Sequence, residues 1–255
     1  MAFNDLSPEE KQTIMEHLEE LRKSLIISVI AIIVAAVASF SFNEQILAIV
    51  TSPLTGLNEN LVVTGVTEAF FVKLKLAFLS GFIIASPVVL WSFWSFFKPA
   101  LYPSERKYIY VLLPVSMLLF AIGVLFSYFG ILSLVLKFFI YIAGDTLETM
   151  FKVDQYVAFV LAFTIPFGLV FELPVVVYFL TIIGVIKYEL LAKNRKYALL
   201  IIVIMAAALT PGPDPVSQMM MAVPVYVSFE ISIWISKWAG KKKRAAREAE
   251  ENEND

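Results

Sequence analysis

No cysteine occurs in this 255-residue chain, and histidine occurs once, at His17. A disulfide framework, a thiolate nucleophile and a Cys- or His-rich metal centre are therefore excluded. Charge is scarce as well: 16% of residues are Asp, Glu, Lys or Arg, against 59% hydrophobic residues. The few charges cluster between long uncharged runs, and stretches such as Leu25 to Phe42 and Leu199 to Leu209 carry none. A water-soluble helix of that length needs a charged face, so water is not the solvent here. No Gly-rich loop ending in Lys-Ser or Lys-Thr is present, which removes the usual nucleotide cradle. The composition is that of an all-α membrane protein.

Uncharged apolar runs of about 17 to 25 residues match a hydrocarbon core of about 30 Å. Six transmembrane helices are expected, at about 25–42, 76–97, 108–128, 155–186, 197–209 and 216–236. The fourth run exceeds what a perpendicular helix needs and is expected to tilt or to extend past the membrane. The last two are joined by Thr210-Pro211-Gly212-Pro213-Asp214-Pro215, which cannot continue a helix and reads as a tight helical hairpin. Each arm holds only about 13 or 14 uncharged residues, about 20 Å of helix, so the bilayer is expected to thin around them. Residues 1–24 are expected to form a cytoplasmic amphipathic segment, and 239–255 a charged, disordered cytoplasmic tail.

Basic residues set the orientation. Lys11, Arg22 and Lys23, then Lys98, Arg106 and Lys107, then Lys187, Lys193, Arg195 and Lys196, and six more at the C-terminus fall on one side. That is sixteen of the twenty; Lys73, Lys75, Lys137 and Lys152 lie opposite. The positive-inside rule then places both termini in the cytoplasm. A competing reading takes Arg22-Lys23, the apolar stretch and Ala36-Val37-Ala38 as a cleavable signal peptide, against which stands a long Glu-rich leading segment. No internal repeat is evident.

Three places break the apolar pattern. Glu172 sits in Phe167-Gly168-Leu169-Val170-Phe171-Glu172-Leu173-Pro174, more than a dozen residues from any other charge. An ionisable group at mid-membrane is costly unless paired, hydrated or protonated, so a functional role is the default and a hydrogen bond to a neighbouring helix the alternative. Pro166 and Pro174 each remove a backbone donor, so a kink with carbonyls in need of partners is expected there. Next, Phe96-Phe97-Lys98-Pro99-Ala100-Leu101-Tyr102-Pro103-Ser104-Glu105-Arg106-Lys107 packs aromatics and a carboxylate between two prolines. Glu105 there suits an arginine held bidentately, with Phe96 or Tyr102 against the guanidinium face; an interfacial aromatic belt with a snorkelling lysine is the other reading. Lastly, Leu18, Leu21 and Leu25 share one helical face in the leading segment, with Glu16 and Glu20 a turn apart on its polar side. A solvated face explains the two carboxylates equally well.

Taken together, His17-Leu18-Glu19-Glu20-Leu21-Arg22, Ser52-Pro53-Leu54, Pro99-Ala100-Leu101-Tyr102 with Glu105-Arg106, Phe171-Glu172-Leu173-Pro174, and Leu209-Thr210-Pro211 with Asp214, Ser217 and Gln218 resemble TatC, the core receptor subunit of the twin-arginine protein translocase. The resemblance extends from about Glu16 to Lys237. It implies six helices in a concave, glove-like arrangement that receives signal peptides bearing paired arginines, with cargo crossing already folded. By motif, Glu20, Phe96 and Glu105 correspond to the signal-peptide site, and Glu172 to the polar residue inside the concave face. Thr210 and Gln218 correspond to contacts with single-span TatA- and TatB-type subunits, and Pro53 and Asp214 to functionally sensitive outer loops. Ser24 stands where a basic residue is common, and Gly212 with Pro215 lengthens the usual turn.

The function implied is recognition rather than catalysis: an inner-membrane subunit of an oligomeric complex, driven by the proton-motive force, with no cofactor, metal or nucleic acid. A proton-coupled small-solute carrier that titrates Glu172 is the alternative. An intramembrane enzyme lacks a second carboxylate, His or Cys at membrane depth.

Overall fold

The computed structural model describes residues 8–57, 59, 61–98, 107–144, 150–210 and 214–254. Between Pro8 and Phe40 neither proline nor glycine interrupts a stretch rich in Glu, Leu and Ile, and one helix, α1 (Pro8–Phe40), runs throughout. The leading segment is therefore continuous with the first apolar run instead of forming a separate surface helix. Its 33 residues measure about 50 Å, well beyond a hydrocarbon core. There follow α2 (Asn43–Thr55), β1 (Leu61–Val62), α3 (Glu68–Phe97) and α4 (Lys107–Leu125). A π-helical turn (Phe126–Leu132) leads without interruption into α5 (Ser133–Ala143), carrying the helix well past the expected end near 128. Then come β2 (Phe151–Lys152), α6 (Val153–Val170), α7 (Leu173–Ile183), α8 (Tyr188–Lys193), α9 (Arg195–Leu209) and α10 (Pro215–Asn254).

Among the described residues, five stretches are long and apolar enough to cross a membrane: Leu18–Phe40, Glu68–Phe97, Tyr108–Ile142, Val153–Ile183 and Pro215–Lys241. At 15 residues, or about 22 Å, α9 is shorter than these. Large apolar side chains point outward along them, including Val37, Phe78, Ile201 and Val223. That is the surface lipid tails require. The charged stretch after Ala239, expected to be disordered, is helical to Asn254. Its Ala, Lys, Arg and Glu residues are strong helix formers, and no proline or glycine lies beyond Gly240.

The chain divides into two compact units. In the first, Met1–Asn43 with Leu76–Met117, α1 meets α3 at Gly81, where a Cβ would lie 2.6 Å from the backbone N and Cα of Ala36. No side chain larger than hydrogen fits without moving α1. Gly81→Val is therefore expected to destabilise the purified protein by about 1–3 kcal/mol through overpacking. A thermal melt in detergent would check this, with an unchanged transition showing that the two helices part freely. Farther along, Trp94 is buried and donates Nε1–H to Ser116 Oγ at 2.9 Å, tying α3 to α4.

The second unit, Glu44–Lys75 with Leu118–Asp255, has its core around Val135, Phe163, Phe167, Ile202, Ala206 and Met221. Gly123 and Gly168 allow close contact: a Cβ on Gly123 would stand 2.6 Å from the Phe167 carbonyl, and one on Gly168 2.7 Å from the Phe120 ring. At the start of α3, Glu68 gathers the chain. Its Oε2 accepts from Thr64 N at 2.6 Å and Gly65 N at 2.8 Å, and its Oε1 from Asp154 N at 3.2 Å. Lys75 closes this cluster with a 2.5 Å ion pair to Asp154. Beside it β1 and β2 pair in parallel, Leu61 with Phe151 and Val62 with Lys152.

Prolines inside helices leave the carbonyl four residues back without its donor. In two such helices, and at Pro174 in the first turn of α7, a hydroxyl takes that place. Ser86 donates to Ile83 O at 2.7 Å ahead of Pro87, and Tyr128 donates to Ile49 O ahead of Pro53. Ser228 of α10 donates to Val170 O at 3.1 Å ahead of Pro174. In lipid no water replaces a lost donor, so these hydroxyls keep the kinks affordable. Ser228→Ala is expected to cost about 1 kcal/mol, within the range of interhelical hydrogen bonds in membranes. A thermal melt identical to that of the parent would show that Val170 O finds another donor.

Candidate functional site

Glu172 occupies the break between α6 and α7. Pro174 cannot donate, so α6 closes with Phe171 N to Phe167 O at 3.1 Å and Glu172 N to Leu169 O at 3.1 Å. The chain restarts from Glu172, whose carbonyl accepts from Val175 N and Val176 N at 3.0 Å each. The side chain is only 7% exposed. Phe171, the residue before it, packs against Phe126 with ring centroids 5.5 Å apart. The sequence expectation of a kink whose freed carbonyl needs a partner is met here, with Ser228 as that partner.

The hairpin residues lie at the facing ends of α9 and α10. Thr210 is buried, with both its N–H and its hydroxyl donating to Ala206 O at 2.9 Å. Asp214 caps α10: its Oδ1 accepts from Ser217 N at 2.7 Å and its Oδ2 from the Ser217 hydroxyl. With Pro215 at the first helical position, this is an N-terminal cap that Asp-Pro-x-Ser announces in the sequence. Gln218, one residue on, crosses to α9 and donates Nε2–H to Val203 O at 3.0 Å. The structure thus joins Gln218 to the α9 arm that carries Thr210.

Pro53, expected in an outer loop, lies instead in the last turn of α2. It is tolerated because Tyr128 supplies the donor for Ile49 O, while Tyr156 donates to Val50 O at 2.7 Å. Asp214 and Ser217 also line a cavity of about 410 Å³ together with Asp154, Gln155 and Phe159.

In the first unit, Phe96 stands in the last turn of α3, half-buried, edge-on to Phe97 at 5.0 Å between centroids. Phe93 and Trp94 extend the aromatic cluster around Phe97. Lys98 Nζ lies 5.7 Å from the centre of the Tyr110 ring. Glu20 is half-buried on α1. Glu105 and Tyr102 lie outside the described residues.

These elements define a multi-pass α-helical membrane protein with one buried carboxylate at a proline-kinked helix junction. Residues 16–224 match the family described as TatC, Sec-independent protein translocase protein. The chain is 48% identical over 231 residues to the TatC of Carboxydothermus hydrogenoformans, covering 91% of this chain and 95% of that one. It is 35% identical over 246 residues to the TatC of Escherichia coli strain K12, covering 95% of each. A crystal structure of a twin-arginine translocase receptor, TatC, superposes with a TM-score of 0.82 at 40% identity, over 88% of this chain and 99% of that one. The chain belongs to the TatC family and is a subunit of a Sec-independent, twin-arginine protein translocase.

Proposed function

We propose that this subunit is the receptor for signal peptides carrying paired arginines, and that it binds them at Glu20, Phe96 and Glu105. The reading is carried by the aromatic end of α3. Phe96 stands in the last turn of that helix, and the sequence from there reaches Glu105 two residues ahead of α4. A planar guanidinium can bond a carboxylate through two parallel N–H groups and lie flat on a ring, and an ammonium can do neither. The solved structure similar to this chain is described as a twin-arginine translocase receptor, which supports the receptor reading.

In this reading six helices span the inner membrane with both termini in the cytoplasm, in keeping with the distribution of Lys and Arg. Glu172 offers a polar partner within the membrane to a helix of the single-span TatA- and TatB-type subunits, which meet the hairpin near Thr210 and Gln218. The short α9 thins the bilayer locally and lowers the barrier to folded cargo, and the proton-motive force drives the cycle. Photo-crosslinking from position 96 in membranes tests the receptor function. Crosslinks to an Arg-Arg signal peptide that fade with Lys-Lys are expected. Equal crosslinking of both peptides would reduce the stretch to an interfacial aromatic belt.

A further inference from the structure

Helix α7 ends at Gly184, whose left-handed backbone (φ 87°) lets Val185 and Ile186 donate back to Leu180 O at 2.9 and 3.2 Å. Beside that turn a cavity of about 440 Å³ opens against α10. Lys187 from the turn and Lys237 and Lys241 from α10 line it, and all three are exposed. Among the described residues none of the three forms an ion pair. Glu189 is the acidic residue of the lining, so three lysines against one glutamate leave two positive charges in excess.

The rest of the lining has two characters. Buried Thr181 and Ser236 share a hydroxyl–hydroxyl hydrogen bond of 2.8 Å, which gives a polar floor. Ile183 and Ile186 supply an apolar edge. Gly240 leaves room, since a Cβ there would meet nothing within 4 Å. On the outward side of the same stretch of α10, Trp234 is 74% and Trp238 60% exposed. Exposed indoles mark the depth of lipid headgroups, so the lysines stand where headgroup phosphates lie.

We propose that this cavity binds the phosphate headgroup of an anionic lipid, in the leaflet at the charged end of α10. Basic pockets between helices at this depth suit such headgroups. Lysines serve as point charges on long stems, the isoleucine edge meets the glycerol and upper acyl chain, and the hydroxyl floor tolerates the ester oxygens. A free phosphate ion would use the charge but not the apolar edge. The site shares no residue with those assigned to the signal peptide or to partner subunits.

Native mass spectrometry of the full chain, titrated with phosphatidylglycerol or phosphatidylcholine, reads this directly. Phosphatidylglycerol is expected to bind at least about tenfold more tightly than phosphatidylcholine. Changing all three lysines, Lys187→Gln with Lys237→Gln and Lys241→Gln, is expected to erase that preference, since each basic residue near the surface is worth about fivefold. The corresponding triple change to arginine retains it, which separates lost charge from lost fold. A second variant, Lys242→Gln with Lys243→Gln and Arg244→Gln, tests whether the neighbouring basic run acts alone. The proposal is overturned if the first variant keeps the preference, or if the second erases it alone. Inorganic phosphate at millimolar concentration is expected to displace little lipid. If it displaces the lipid fully and binds equally well in its absence, the lipid assignment fails in favour of a simple anion site.

Discussion

Replacing Glu105 by glutamine is expected to weaken binding of an Arg-Arg signal peptide by at least about tenfold and to stop export. Glutamine keeps the size of the side chain and one acceptor oxygen. It loses the negative charge and the second oxygen that let a carboxylate hold a guanidinium fork through two charge-assisted bonds. A fully exposed pair would be worth little. In the sequence Glu105 follows Pro99 and Pro103, and a stretch with two prolines is expected to be stiff. Pre-organisation of that kind cuts the entropy lost on binding and raises the worth of the pair. Fluorescence anisotropy of labelled peptides with the purified chain would measure this. The same substitution should leave a Lys-Lys peptide nearly unaffected, because a compact ammonium never used the fork. Equal affinity of parent and Glu105→Gln for the Arg-Arg peptide would move the site elsewhere.

How legible these features were in the sequence depends on their range. Glu172 stood out because a single charge in a long apolar run needs no partner to be noticed, and the flanking prolines announced the kink. The donor for Val170 O was hidden, since Ser228 lies 58 residues away and its hydroxyl resembles that of any other serine. Likewise the third span was expected to end at about Tyr128. In the fold Ser127 is buried in a π-helical turn, Tyr128 donates to α2, and the helix runs on to Ala143.

Pro53 was assigned to an outer loop by its motif alone, and the short helix α2 around it was hidden because the donor for Ile49 O comes from a distant tyrosine. The paired strands could not be foreseen at all, because two residues carry no alternation. Gln218 was read as a contact for a partner subunit, yet here its amide already bonds Val203 O within the hairpin. A partner helix that meets Gln218 therefore competes with or adds to an existing bond, through the side-chain oxygen.

The second large effect is expected at Glu172. Changing it to leucine removes the carboxyl while keeping an apolar side chain of similar length in a place only 7% exposed. If Glu172 serves a partner helix, export should fall at least about tenfold, while the thermal transition of the purified chain stays within a few degrees of the parent. A buried ionisable group is expensive in a membrane, and its removal tends to spare stability unless it anchors a neighbouring helix. If it anchors α7 within this chain instead, stability and export should fall together. Glu172→Gln sharpens the contrast, because an amide can still donate and accept but cannot titrate. Export retained with glutamine and lost with leucine assigns a hydrogen-bonding role. Loss with both assigns the charge or the proton. A leucine variant that exports at the parental rate would leave the buried carboxylate without a part in translocation.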